Sequence, residues 1–242
     1  MSLAIVVLSG GMDSCVTAAL AKAAGHELAA LHVSYGQRTA ARERQAFEAV
    51  CDALDIRRRQ VVDIGYLRAF GGSALTDARV PLAENEDGDR PGVPNSYVPQ
   101  RNGNLLLIAA AWAEVLRAES IWCGVVEEDS SGYPDCRRSF CDALERAIAE
   151  GNPDDAPDPR LVTPLIALSK AQIVTRGLAL RAPLELTWSC YQSEAEACGV
   201  CDSCRLRLRG FQQAGVPDPI PYRRPERACR KRRASTRQAP ST

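Results

Sequence analysis

Leu3-Ala-Ile-Val-Val-Leu-Ser-Gly-Gly-Met-Asp-Ser14 decides how the rest of the chain is read. Its six apolar residues, Leu3 to Leu8, suit a short strand buried on both faces. Ser9-Gly10-Gly11 breaks the run, and Asp13-Ser14 opens an alanine-rich helical segment from Cys15 to Ala24. Strand, glycine turn and helix N-terminus together make an anion site. The glycines let the backbone come close, the free N–H groups of the first turn point at the anion, and the helix dipole attracts it.

Two common phosphate loops are excluded. G-x-x-x-x-G-K-[ST] needs a Gly-Lys pair and G-x-G-x-x-G needs a G-x-G, and the chain contains neither. Ser9-Gly10-Gly11-Met12-Asp13-Ser14, with Leu8 ahead of it, resembles the SGGxDS loop of the PP-loop ATP pyrophosphatases. That likeness implies a grip on the pyrophosphate end of ATP and adenylation of an oxygen. The competing reading is an ordinary Gly-Gly turn with Asp13 as helix N-cap.

Working outward, Glu27 to Val33 reads as a second strand, Thr39 to Leu54 as a helix with an apolar stripe, and Asp55 to Val62 as a third strand. This alternation predicts an α/β fold with a doubly wound parallel sheet and right-handed crossovers. Ligands in such sheets sit beyond the carboxyl ends of the strands, where Ser9, Tyr35 and Asp63 fall. Residues 71–99 are rich in Gly, Pro, Asn and acidic groups, the composition of a loop or lid. A helix is expected from Leu105 to Leu116, a strand from Ser120 to Gly124, and a helix from Arg138 to Ala149. A short strand at Arg160–Pro164 and a helix near Lys170–Leu180, capped by Ser169, complete the pattern.

The 242 residues carry 30 basic and 30 acidic groups, so no global charge argues for nucleic acid or an anionic membrane. No apolar run approaches the roughly 20 residues of a membrane span, and Leu3–Leu8 lacks the flanks of a signal peptide. The expectation is a cytoplasmic protein. In a reducing compartment clustered cysteines point to metal rather than disulfides, and four of the ten cluster: Cys190, Cys198, Cys201 and Cys204. The scattered six read as small buried hydrophobes or, in a few cases, exposed residues. C-x2-C-x2-C with a fourth cysteine upstream suits a closed zinc site, where four thiolates leave no open position for catalysis. An iron–sulfur cluster competes, although its usual x3-C-P continuation is replaced by Arg205-Leu206-Arg207-Leu208. Disulfides are the third option. The tail from Arg223 to Arg237 is strongly basic and reads as a solvated extension.

Val98-Pro99-Gln100-Arg101-Asn102 and Ser131-Gly132-Tyr133-Pro134-Asp135-Cys136-Arg137 sharpen the likeness. So do Ser34-Tyr35-Gly36-Gln37-Arg38, Thr163-Pro164-Leu165 with Lys170, and Cys190-Tyr191 ahead of the C-x2-C-x2-C run. In this order, over about residues 3 to 213, the chain resembles the 7-cyano-7-deazaguanine synthases, which make the nitrile precursor of queuosine in tRNA. It departs from them at Gln100, where the family usually has Gly, at Gly103-Asn104, and at Val126–Ser130.

The resemblance implies an ATP-dependent carbon–nitrogen ligase joining a carboxy-deazaguanine to ammonia, with ATP, Mg²⁺ and structural Zn²⁺ as cofactors. It implies ATP contacts from Leu8, Ser9, Gly10, Gly11, Met12, Asp13 and Ser14, with Asp13, Arg101 and Lys170 serving the chemistry. Tyr133, Asp135 and Arg137 would face the base, and Cys190, Cys198, Cys201 and Cys204 would hold zinc. The expected organisation is a nucleotide domain over 1–182, with 71–99 as its lid, a zinc-bearing helical lobe over 183–215, and a basic tail over 216–242. A homodimer without membrane or stable nucleic-acid partners is expected. The alternatives are a PP-loop enzyme acting on another deazapurine or directly on tRNA, and a zinc-knuckle RNA-binding protein.

Overall fold

Leu3–Val7 forms β1, the middle strand of a five-stranded sheet. The computed structural model describes residues 2–82, 92–127 and 132–223. In chain order, α1 (Met12–Ala23), β2 (Glu27–Ser34), α2 (Ala40–Ala53), β3 (Arg58–Asp63) and α3 (Tyr66–Phe70) follow β1. Then come α4 (Arg101–Leu116), β4 (Ser120–Cys123), α5 (Arg138–Gly151), β5 (Arg160–Val162), α6 (Lys170–Ala179) and α7 (Asp202–Gln213). The strand order is β3-β2-β1-β4-β5 and every pairing is parallel.

The continuous apolar run of β1 has a two-sided explanation. Ala4, Val6 and Leu8 pack with α1, α2 and α6, while Ile5 and Val7 pack with α4 on the opposite face. Phe211 of α7 joins the first of these cores, so the C-terminal segment shares the hydrophobic interior of the sheet. Because β2 and β4 both pair with β1, the chain reverses its direction of winding there and opens a crevice at the strands' carboxyl ends.

Several boundaries differ from the sequence expectation. Helix α1 begins at Met12 rather than Cys15, and its N-cap is Gly11, without any side-chain cap. Asp13 is therefore a helical residue, which removes the reading of it as an N-cap. Helix α4 begins at Arg101 rather than Leu105 and runs straight through Gly103-Asn104. Asn104 supports that first turn by donating to the Gln100 carbonyl at 2.8 Å and accepting from the Tyr66 hydroxyl. Ser169 caps α6 as expected, in a reciprocal capping box with Gln172.

The segment expected to be a lid includes residues 83–91, which lie outside the described residues, as do 128–131 and the basic run from 224 onward. Its flanks are tied down. Arg38 donates to the carbonyls of Asp77 and Val80, and Ala74 N–H donates to the Asn95 carbonyl at 2.7 Å.

Candidate active site and cysteine cluster

The turn after β1 is fixed by its neighbours before any ligand is considered. Gly10 has φ +87°, and a Cβ there would lie 2.5 Å from the Glu43 carbonyl oxygen. Only glycine lets the turn sit this close to the start of α2. On the other side Trp188 N–H donates to the Gly10 carbonyl at 2.8 Å. Gly124, after β4, approaches so closely that a Cβ would stand 2.9 Å from the Asp13 carbonyl carbon. Within the turn, Gly11 N–H donates to Ser9 Oγ and Ser14 Oγ donates to the Gly11 carbonyl. The hydroxyls of Ser9 and Ser14 lie 3.1 Å apart.

This loop forms one wall of a cavity of about 250 Å³ that opens between β1 and β4. Leu8, Ser9, Gly11, Met12, Asp13 and Ser14 line it, whereas Gly10 faces α2. Lys170, the first residue of α6, reaches Asp13 Oδ2 at 2.7 Å. The other carboxylate oxygen of Asp13 is buried and has no hydrogen-bond partner among the described residues. An acceptor left in this state costs free energy unless something supplies a proton or a cation.

Across the cavity Arg101 lies over the rings of Tyr35 and Tyr133, at 5.3 and 5.7 Å from their centroids. Its Nη1 donates to the Tyr35 hydroxyl at 3.3 Å and its Nε to Asn102 Oδ1 at 3.2 Å. Among the described residues it makes no ion pair, so a permanent cation faces the cavity with neutral partners. Such a group is suited to an anionic ligand.

Tyr133 lines the cavity and donates to Ser96 Oγ at 2.8 Å. Asp135 and Arg137 do not line it. Asp135 is buried behind α4, where its Oδ2 accepts from Asn102 N–H at 3.0 Å, and burial pushes its carboxyl pKa up. Arg137 is exposed at the start of α5. Cys123 and Cys136 also line the cavity, but burial pushes their thiols up to about 12 and about 11, so neither is an activated nucleophile.

Tyr35, Glu43 and Tyr191 line the cavity too, and reading the sequence alone gave none of them a definite role. For Tyr35 a signal exists, its place immediately after β2. For Glu43 none does, because it sits on the first turn of a surface-like helix.

Behind Trp188, the Sγ atoms of Cys190, Cys198, Cys201 and Cys204 lie within 4.8 Å of one another. A tetrahedral zinc with Zn–S near 2.3 Å would set its thiolates about 3.8 Å apart. Cys198 and Cys204 stand at 3.9 Å, far beyond a disulfide bond. An iron–sulfur cluster would place each thiolate on a different iron and spread the set more widely. Backbone N–H groups of Gln192 and Cys198 point at Cys190 Sγ, and those of Val200 and Cys201 at Cys198 Sγ. These donors offset thiolate charge, and the donor set fits zinc.

The model of the family described as "Queuosine biosynthesis protein QueC" matches residues 3–215. A 7-cyano-7-deazaguanine synthase from Campylobacter curvus is 52% identical over 224 residues, covering 92% of this chain and 98% of that protein. A synthase of the same name from Koribacter versatilis is 54% identical over 221 residues, covering 90% and 92%. Among solved structures, a 4-thiouridine synthetase in complex with RNA and bound ATP superimposes with TM-score 0.51 at 16% identity. That match covers 88% of this chain and 50% of that one, a likeness of fold alone. With matches this long and this close, the chain belongs to the QueC family of queuosine biosynthesis proteins.

Proposed function

We infer that this protein is an ATP-dependent ligase that converts 7-carboxy-7-deazaguanine and ammonia to 7-cyano-7-deazaguanine. The observation that carries the reading is the Ser9–Ser14 turn, opening with the Asp13–Lys170 pair onto the cavity between β1 and β4. The names of relatives that match nearly end to end supply the substrate. The protein acts as a homodimer in the cytoplasm.

The chemistry explains why such a turn is needed. Ammonia cannot displace oxide from a carboxylate, because oxide is too poor a leaving group. Attack of a carboxylate oxygen on the α-phosphorus of ATP breaks the bond to pyrophosphate and leaves an acyl-adenylate. Ammonia then forms the amide and expels AMP. Adenylation of the amide oxygen by a second ATP lets that oxygen leave as AMP, while nitrogen loses its two protons to give the nitrile. Free N–H groups and hydroxyls of the turn hold the departing pyrophosphate as one unit, and Lys170 and Arg101 balance its growing charge. Mg²⁺, arriving with the nucleotide, would lower phosphate charge, with the unpartnered oxygen of Asp13 as its protein ligand.

Tyr35, Tyr133 and Tyr191 offer flat faces to the base. Asp135 acts from behind by holding the first turn of α4, and so the position of Arg101. Zinc on the four cysteines fixes the segment that carries Trp188 and takes no part in bond changes. Incubation with ATP, ammonia and 7-carboxy-7-deazaguanine should yield the nitrile by mass spectrometry, with two AMP and two pyrophosphate per product. Release of ADP and phosphate in step with the nitrile would overturn the assignment.

A further inference from the structure

The reaction just described must dispose of protons, since ammonia is present at neutral pH mainly as ammonium, which has no lone pair to attack with. We propose that Glu43 is the base that takes the proton from ammonium in the cavity. The assignment rests on the functional reading above.

Among the described residues lining the cavity, only Asp13 and Glu43 carry carboxylates. Asp13 is engaged with Lys170 on the pyrophosphate side. Glu43, on the first turn of α2, is held by two donors, Gln37 Nε2 at 2.9 Å and Thr39 Oγ1 at 2.8 Å, one to each oxygen. Each oxygen keeps a lone pair for a further donor. Burial raises its pKa, against the lowering effect of those hydrogen bonds and of Arg101 on α4, while Glu194 adds to the rise. The nearby phenol of Tyr35 is pushed up to about 12 by burial and stays protonated. Glu43 is thus a carboxylate made more basic than usual, beside tyrosine rings whose faces attract a cation.

The step balances. Ammonium gives one proton to the Glu43 carboxylate and becomes ammonia, whose lone pair forms the C–N bond. The bond from carbon to the AMP oxygen breaks with its electron pair remaining on AMP. The surplus proton on the new amide nitrogen passes to solvent.

A purely structural role, holding Gln37 and Thr39, is the rival explanation, and the experiment separates the two. Glu43→Gln and Glu43→Asp are assayed for substrate-dependent exchange of pyrophosphate into ATP, for amide and nitrile formed from ammonia, and for hydroxamate formed from hydroxylamine. Hydroxylamine is already unprotonated at neutral pH and needs no base to release its lone pair. In Glu43→Gln we expect exchange and hydroxamate formation within about threefold of the unsubstituted protein, and ammonia-dependent product reduced by about 100-fold. Glu43→Asp should recover part of that loss. Parallel loss of all three activities, or no loss with ammonia, overturns the assignment to Glu43. Absence of substrate-dependent exchange in the unsubstituted protein overturns the functional reading itself, and this proposal with it.

Discussion

Asp13 spends one carboxylate oxygen on Lys170, and among the described residues the other is buried without a hydrogen-bond partner. Asp13→Ala should lower nitrile formation by about 100- to 1,000-fold. With side chains 10% and 30% exposed, the Lys170–Asp13 pair is not a surface pair, so the substitution should also cost folding stability, on the order of 1–3 kcal/mol, with circular dichroism still showing the fold. His32 is a different case. It is fully buried, its Nδ1 lies 3.2 Å from the Leu8 carbonyl just before the Ser9–Ser14 turn, and its Nε2 has no hydrogen-bond partner among the described residues. Burial lowers its pKa, so the unfolded chain binds the proton more readily. The stability it confers is present above about pH 6.5 and is lost as pH falls from there toward the folded-state value. Urea midpoints measured from pH 8 to 5 should fall, and the fall should be smaller in His32→Gln. Gln100 holds φ +55° at the start of α4, a conformation glycine adopts without strain. Gln100→Gly, the residue usual in the resembling family, should stabilise by up to about 1 kcal/mol in chemical denaturation.

Three elements set the geometry of the cavity wall through their ends. Helix α6 begins at Lys170 because Ser169 and Gln172 close a capping box there. Ser169→Ala should cost about 1 kcal/mol in denaturation and should also raise the KM for ATP, because the frayed turn carries the lysine. The start of α2 presses on the Gly10 turn through backbone atoms, which cannot be moved aside as a side chain can. Gly10→Ala should therefore cost more than about 2 kcal/mol and leave much of the protein insoluble, whereas Ser169→Ala remains soluble. The first turn of α4 belongs to a third element, since Asn102 donates to both the side chain and the backbone of Asp135. A short turn from a distant part of the sequence thus aims Arg101.

At the scale of the molecule, the cysteine cluster and the Ser9–Ser14 turn are mechanically joined. Trp188 packs with Cys190, Cys201 and Cys204 and donates its N–H to Gly10. Removing zinc with a chelator should release one ion per chain and lower the unfolding midpoint and ATP affinity together, measured by calorimetry before and after treatment. The same segment is anchored by Arg207 and Asp218, paired at 2.8 Å with side chains 1% and 3% exposed. The C-x2-C-x2-C spacing, the Gly-Gly turn after an apolar run and the capping serine at Ser169 were all legible because each is a local pattern with a local physical cause. The sequence by itself therefore determined the parallel α/β architecture, the Gly-Gly turn after its first strand and the clustering of four cysteines. It did not determine that α4 starts at Arg101, because the support for that turn comes from Tyr66 and Asp135. Nor did it show that Glu43 lines the cavity, or that Asp13 meets Lys170 across 157 residues of sequence. Those placements follow from the strand order β3-β2-β1-β4-β5, which brings separate carboxyl ends to one crevice, and no local pattern encodes which ends will meet.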